Sequence, residues 1–488
     1  MPFFERPSLK ADGAVPVYRQ LYDYLRASIL SGQLPTGAPL PSTRALADEL
    51  GVSRNTVLGA YDQLFAEGYL EAVGGKGTFV SRTLPEMLLT PRGDLKRQTK
   101  PTERNHRLSE RSQTLLSTPT MPGLPVVHRP NQAFKTGAPA LDQFPYPLWA
   151  KIVSRQAHAL HPNMLVYQDV AGYRPLREAI ANHVLIARQV RCSPEQVIIV
   201  TGSQGGLYLA ARVLLNTGDQ AWVEDPGYIG ARRALTAAGA QLVPVPVDAQ
   251  GICVDAGIAR APQARLAYLT PSHQFPLGMT LSLRRRLDLL AWAKSSGAYL
   301  LEDDYDSEFR FAGRPLAALQ GLDDCESVIY VGTFSKVLFP ALRLGYLIVP
   351  PGLVDAFLSF RASTDYHLPV LEQAALTDFI VEGHFVRHIR RMRALYAGRR
   401  AALIDALKSS PIEVDAPQTG MHLIGWLPDG ISDTEVAQRA AAENIRAIPL
   451  SAFALEARIR SGLLLGYASV DAHEMQRGVL ALIRAVGL

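Results

Sequence analysis

Residues Val328–Tyr346 read VIYVGTFSKVLFPALRLGY, an apolar run that closes on a glycine and a cluster of polar and basic groups. A short, β-branched run of this kind fits a strand buried on both faces better than an amphipathic helix. Lys336 then falls just past the strand's C-terminal edge, with Thr333 and Ser335 ahead of it and Arg343 seven residues beyond. A lysine at a strand edge is ordinarily a surface cation. Here hydroxyls on one side and an arginine on the other make it a candidate nucleophile next to an anion site.

Similar runs lie upstream at Val197–Val200, Gln220–Val223, Leu266–Leu269 and Tyr299–Leu301, separated by stretches such as Leu281–Lys294 with helical spacing. The alternation predicts a mostly parallel sheet covered by helices. Two of these runs end in groups that complement Lys336. The first is followed by Thr201-Gly202-Ser203-Gln204-Gly205-Gly206, a turn into a helix whose free N–H groups suit a phosphate. The fourth continues as YLLEDDY, placing Asp303 at the sheet rim, where ligands of such folds sit, and Tyr305 beside it. A lysine for an imine, a carboxylate for a ring nitrogen and a phosphate cradle are what an aldehyde cofactor with a phosphate handle requires. Each signal taken singly has a bland reading, and any one of Glu302, Asp303, Asp304 or Asp306 on its own reads as a solvated acid opening a loop.

The chain's start is of another kind. Pro16–Leu30 places Val17, Leu21, Tyr24, Leu25 and Leu30 near one helical face. Ser42 caps a second helix that ends at Gly51, and Ser53 caps a third in which Val57, Tyr61, Leu64 and Phe65 share a face. Two short helices joined by Gly51-Val52-Ser53 form a helix-turn-helix. Its second helix offers Arg54, Asn55 and Thr56 to a major groove, with Arg44 near the backbone. Tyr69–Val73 and Thr78–Val80 flank Gly74-Gly75-Lys76-Gly77, a hairpin with a lysine at its tip. A protein-interaction module is the alternative for so small a bundle.

The charge is uninformative in the head and concentrated behind it. Residues 1–80 hold seven Lys/Arg against eight Asp/Glu, residues 81–135 ten against four, and the remaining thirty-three of each cancel, leaving a net +5. DNA binding therefore rests on pattern, not on charge. The basic stretch, rich in Pro, Ser and Thr, reads as a linker in which LSERSQTLL can form a short helix. Cys192, Cys253 and Cys325 fit no metal-ligand spacing, so no metal is expected, and their number suits a reducing cytoplasm. No apolar run of membrane-spanning length occurs.

PSTRALADELGVSRNTVLGAYDQLFAEGYLEAVGGKGTFV resembles the GntR-type winged helix over nearly its whole length. From about Phe134 onward, YQDVAGYRPLREAI, VTGSQGGL, EDPGY, YLTPSHQFPLG, LLEDDYDSEFR and GTFSKVLFPALRLGY resemble fold-type-I aminotransferases, and the pairing resembles the MocR subgroup of regulators. The resemblance implies a multidomain chain: an α+β winged helix-turn-helix at 1–81, a flexible basic linker at 82–133, and an α/β aminotransferase-like domain with a mostly parallel sheet at 134–488. It implies pyridoxal 5'-phosphate as cofactor, with Lys336 forming the imine, Asp303 on the pyridine nitrogen, Tyr305 on the phenolate oxygen and Tyr228 stacked on the ring. Ser203, Gln204, Thr333 and Arg343 would hold phosphate, and Tyr167 would reach across from a second subunit of a head-to-tail homodimer. Arg44, Arg54, Asn55, Thr56, Lys76, Gly77 and Thr78 would contact a double-stranded operator.

Two departures bear on function. Phe275-Pro276-Leu277-Gly278 stands where many active aminotransferases have Asn-Pro-x-Gly, leaving His273 or Gln274 as substitutes. In LLLGYAS, Leu464 occupies the place of the arginine that binds a substrate carboxylate, so Arg232, Arg458 and Arg460 are the candidates for that task. The sequence thus predicts a regulator that senses pyridoxal phosphate or a small amine or amino acid; the alternative is a working aminotransferase with a DNA-binding head.

Overall fold

The computed structural model describes residues 9, 15–75, 77–86, 107–120, 132–311, 316–415 and 417–487. By contact the chain divides into two compact units, Met1–His106 and Arg107–Leu488. Among the described residues no helix is long and apolar enough to cross a membrane.

The smaller unit holds helices α1 (Val17–Leu30), α2 (Thr43–Leu50) and α3 (Arg54–Ala66), and strands β1 (Pro39–Leu40), β2 (Leu70–Val73) and β3 (Gly77–Val80). Its helix ends follow local chemistry. Ser42 accepts the Ala45 N–H and Ser53 the Thr56 N–H, while Gly51 closes α2 at φ 69°, where a side chain is disfavoured. Val57, Ala60, Tyr61 and Leu64 of α3 bury against α1. On α1 the buried face is Leu21, Tyr22, Leu25 and Ile29, whereas Leu30 is exposed and Val17 and Tyr24 are half-buried, a corrected phase. The hairpin β2–β3 is joined by β1, which pairs with β3 through two residues too few to give a periodic signal.

The larger unit contains an eight-stranded sheet in the order β4-β11-β10-β9-β8-β5-β6-β7, with the two-residue β7 (Gly251–Ile252) at its edge. The strands that matter for the site are β4 (Val197–Val200), β5 (Gln220–Asp225), β8 (Leu266–Leu269), β9 (Tyr299–Asp304), β10 (Val328–Thr333) and β11 (Gly345–Ile348). β10, β9, β8, β5 and β6 (Gln241–Asp248) run parallel, and β11 lies antiparallel between β10 and β4. Several strands run further than their apolar cores. β9 continues through Glu302, Asp303 and Asp304, and β10 through Thr333.

That extension corrects the reading of the acids as solvated. Glu302, Asp303, Asp304 and Asp306 are all buried, and strand alternation sends Glu302 and Asp304 to one face and Asp303 to the other. Glu302 accepts the N–H groups of Leu319 and Gln320. Asp304 takes the Arg188 Nε at 2.7 Å and the Tyr330 hydroxyl at 2.5 Å, and the buried guanidinium holds its carboxyl below the usual range.

A second, four-stranded antiparallel sheet, β12-β13-β15-β14, stands apart, with β12 at Glu413–Val414, β13 at His422–Trp426, β14 at Ile448–Pro449 and β15 at Gly462–Gly466. In the stretch expected to be a linker, a helix at Glu110–Ser117 packs on the helix Ile229–Ala238, whose Arg233 donates to the carbonyls of Leu115, Thr118 and Pro119.

Arg188 anchors the acidic strand end and so sets its stability. Arg188→Ala is expected to lower the unfolding free energy of the larger unit by about 3–5 kcal/mol, because it leaves a buried carboxylate unpaired. Urea denaturation followed by tryptophan fluorescence reads the shift; an unchanged midpoint would refute the anchoring role.

Candidate cofactor site and nucleic-acid interface

The C-terminal ends of β9 and β10, the start of the helix Gly202–Leu214 and the edge of the small sheet enclose a cavity of about 330 Å³. Eight of the expected residues line it: Lys336, Asp303, Tyr305, Tyr228, Ser203, Gln204, Thr333 and Arg343. They come from segments more than a hundred residues apart, gathered by the parallel order of the strands.

Lys336 points its Nζ at the carbonyl of Gly137, 3.0 Å away. Gly137 sits at φ 67°, and a Cβ there would lie 2.5 Å from Nζ, so only glycine admits the amine at this distance. Burial pushes the Lys336 ammonium below its ordinary value, with Asp306 and Asp303 pulling the other way. A neutral amine is the nucleophilic form.

Asp303 accepts the Tyr268 hydroxyl at Oδ2, 2.8 Å, while its Oδ1 is buried with no hydrogen-bond partner among the described residues. Burial raises its pKa to about 7, which the Tyr268 hydrogen bond only partly offsets. An orphaned acceptor of this kind on a cavity wall calls for a donor with positive charge. Neighbouring Glu224, with its carboxylate on the Thr270 backbone and hydroxyl, is raised to about 7 by burial as well.

At the opposite wall Arg343, itself in the left-handed region at φ 52°, donates to the Thr201 carbonyl at 3.0 Å. It faces the glycine that opens the helix: a Cβ on Gly202 would lie 3.7 Å from Arg343 Nη1 and 4.0 Å from Ser335 Oγ. Thr201 supplies no side-chain cap, so the helix's first N–H groups, the Ser203 and Ser335 hydroxyls and the guanidinium converge on one anion-sized space. Gln204 donates to the Gly230 carbonyl and accepts the Tyr228 hydroxyl at 3.5 Å, fixing the ring that precedes the helix Ile229–Ala238. These groups fit a phosphorylated pyridine aldehyde in its reactive corner, its ring nitrogen and its phosphate.

Three expected residues lie off the wall. His273 is buried behind Tyr305, with Nδ1 3.0 Å from both Asp306 Oδ2 and the Tyr305 hydroxyl. Tyr305 also donates to the His273 carbonyl. Tyr167 is 85% exposed, against Tyr366 and His367. Gln274 does not line the cavity; it donates to the carbonyls of Pro226 and Phe275, and Phe275 lines the cavity instead.

None of the three arginines offered for a carboxylate lines the cavity. Arg232 is buried on the carbonyls of Phe453 and Glu224 beside Asp225, Arg460 pairs with Glu413, and Arg458 is exposed. Sequence reasoning missed Tyr268, Gly137, Asp306, His422 and Arg446, which line or brace the cavity. For Tyr268 the signal was available: it sits mid-strand on β8, next to β9, in register with Leu301.

In the smaller unit Arg44, Arg54 and Asn55 are exposed and Thr56 is half-buried, with its hydroxyl on Ser53 Oγ. Gly77 is exposed and Thr78 half-buried on β3; Lys76 lies outside the described residues.

The family description for bacterial regulatory proteins of the gntR family matches residues 17–80, and that for aminotransferase class I and II matches residues 133–482. The chain is 41% identical to the probable rhizopine catabolism regulatory protein MocR of Rhizobium meliloti, over 97% of its own length and 94% of that protein's. It is 33% identical to the pyridoxine biosynthesis transcriptional regulator PdxR of Corynebacterium glutamicum, over 95% and 94%. Among solved structures, LysN, an alpha-aminoadipate aminotransferase of Thermus thermophilus complexed with N-(5'-phosphopyridoxyl)-L-leucine, aligns at a TM-score of 0.66 with 30% identity, covering 78% of this chain and 95% of that one. Fold, head and likeness agree: the chain belongs to the MocR-type GntR regulators, DNA-binding transcriptional regulators that carry a fold-type-I aminotransferase-like domain.

Proposed function

We propose that the larger unit binds pyridoxal 5'-phosphate at Lys336 and that the cofactor, or an amine or amino acid that reacts with it, sets how the protein occupies its operator in the cytoplasm. The observation that carries this reading is the buried, unpartnered Asp303 Oδ1 on the wall of the cavity that Lys336 enters. When bound, the cofactor supplies an aldehyde for amines and an electron-withdrawing ring. The chain's own groups do the rest. Asp303 would hold a proton on the ring nitrogen, Lys336 would present its amine, and Tyr228 would cover one ring face. Ser203, Ser335 and Arg343 would bind the phosphate, with Thr333 and Gln204 bracing them. Tyr305 and His273 form a buried pair with Asp306 that would position the phenolate side.

On the DNA side, Arg54 and Asn55, at the exposed start of a capped helix, would read base edges, and Arg44, Thr56, Lys76, Gly77 and Thr78 would hold the backbone. A homodimer would present two such heads, and Tyr167, standing clear of its own cavity, would serve the partner's. Turnover as an aminotransferase is the second reading, favoured by the lysine and aspartate standing in place; Leu464 weighs against it.

The loaded protein is expected to show a visible absorbance band that Lys336→Ala abolishes without loss of folded structure by circular dichroism; a band retained in the variant would sink the assignment. Asp303 has a second signature. A carboxyl whose folded pKa lies above its unfolded value makes the folded state hold the extra proton, so its contribution to stability falls as pH rises from about 4 to about 7. In cofactor-free protein, Asp303→Asn should therefore gain thermal stability relative to the parent between pH 5 and pH 8, by at most about 1.4 kcal/mol per pH unit; parallel curves would contradict the buried acid. Arg54→Ala is expected to weaken operator binding by about 1–3 kcal/mol in gel-shift titrations, while equal affinity would remove it from the contact set.

A further inference from the structure

Arg446 lines the cavity just ahead of β14 and is half-buried. Its Nε is buried without a hydrogen-bond partner, and no ion pair joins it to a carboxylate among the described residues. Its backbone N–H is tied to the Ala133 carbonyl, which fixes the root of the side chain on the segment that continues through Thr136 and Gly137 into the wall beside Lys336. Burial lowers the Arg446 pKa, and the same burial together with the Arg446 cation lowers that of Lys135. Arg446 is thus a cation on the cavity lining, a place that favours an anion beside it.

The neighbouring strand explains why the arginine stands here. Leu464 on β15 is fully buried in an apolar cluster with Ile229, Ile424, Ile448 and Phe453, so it offers the cavity no charge. Its partner across the ladder is Ile448, which lines the cavity two residues after Arg446. The small sheet thus delivers its cation from the entry to β14 and not from β15. A guanidinium with a free face suits a planar oxyanion through paired charge-assisted hydrogen bonds.

We infer that Arg446 is the anchor for the anionic end of the effector, and that the effector is an amine carrying a carboxylate or sulfonate whose amino end faces Lys336. This rests on the pyridoxal phosphate reading of the cavity. An arginine that selects in this way determines specificity; it is no part of the imine chemistry.

The test is a spectroscopic titration of full-length, cofactor-loaded protein with L-alanine, β-alanine and taurine, set against ethylamine and n-propylamine. Half-saturation of the band shift is expected at a concentration ~10-fold or more lower for at least one of the acids than for the amine of matching length, as a charge-assisted pair implies. Arg446→Gln and Arg446→Met should bring acid and amine together while keeping the band, and Arg446→Lys should keep part of the preference. Preference for β-alanine or for taurine identifies the oxyanion as carboxylate or sulfonate, and either supports the anchor. A loaded wild-type protein that treats acids and plain amines alike, or is shifted by neither, overturns the inference, as does a preference that survives both neutral variants. Absence of any visible band in wild type is a different failure, that of the cofactor reading itself.

Discussion

Three consecutive acids enter the end of a central strand, and the rest of the site depends on how their charge is divided. A buried carboxylate is tolerated only where donors surround it or where it stays protonated. The pleat assigns Glu302 and Asp304 to backbone N–H groups and to Arg188, on one face of the sheet. Asp303, on the other, keeps a single tyrosine hydroxyl and one oxygen without a partner. Fixed donors hold two of the three, and Asp303, whose free oxygen belongs to a residue of the cavity wall, is the group whose charge a ligand can decide. That division requires Arg188 to reach in from the helix Arg174–Arg188 and Tyr268 from β8, so the packing of the whole sheet stands behind one carboxyl oxygen.

The same logic orders the opposite wall. Arg343 is held in the left-handed region and spends one amino group on the Thr201 carbonyl, which aims the remainder at the helix start. Gly202 and Gly137 keep that wall and the lysine wall free of side-chain bulk. Arg343 and the N–H dipoles of the helix start thus share one part of the cavity lining, while Asp303 contributes the acid.

What the sequence disclosed and what it concealed follow from range. Caps at Ser42 and Ser53, the glycine at 51 and the apolar strand cores are local, and each was legible because its partner lies within a few residues. Lys336, Asp303 and Arg343 were legible through strand ends and neighbouring hydroxyls. The phase of α1 was misjudged because Tyr22 and Ile29 compete with Tyr24 and Leu30 for the same stripe, and only the α3 surface decides between them. The burial of Asp304 was hidden because its partners, Arg188 and Tyr330, are 116 and 26 residues away. Arg446 was invisible for the same reason: nothing near IRAIPL marks a cavity, and it becomes one only when the small antiparallel sheet closes against the large one.

Arg233 has a mechanical corollary. It clamps three carbonyls of the segment 115–119 onto a helix whose first turn follows directly from Tyr228, a wall of the cavity. The helix Glu110–Ser117 is thus moored to a helix that begins beside the cavity wall. One guanidinium nitrogen carries all three bonds, so losing that side chain would leave three carbonyls to solvent at once.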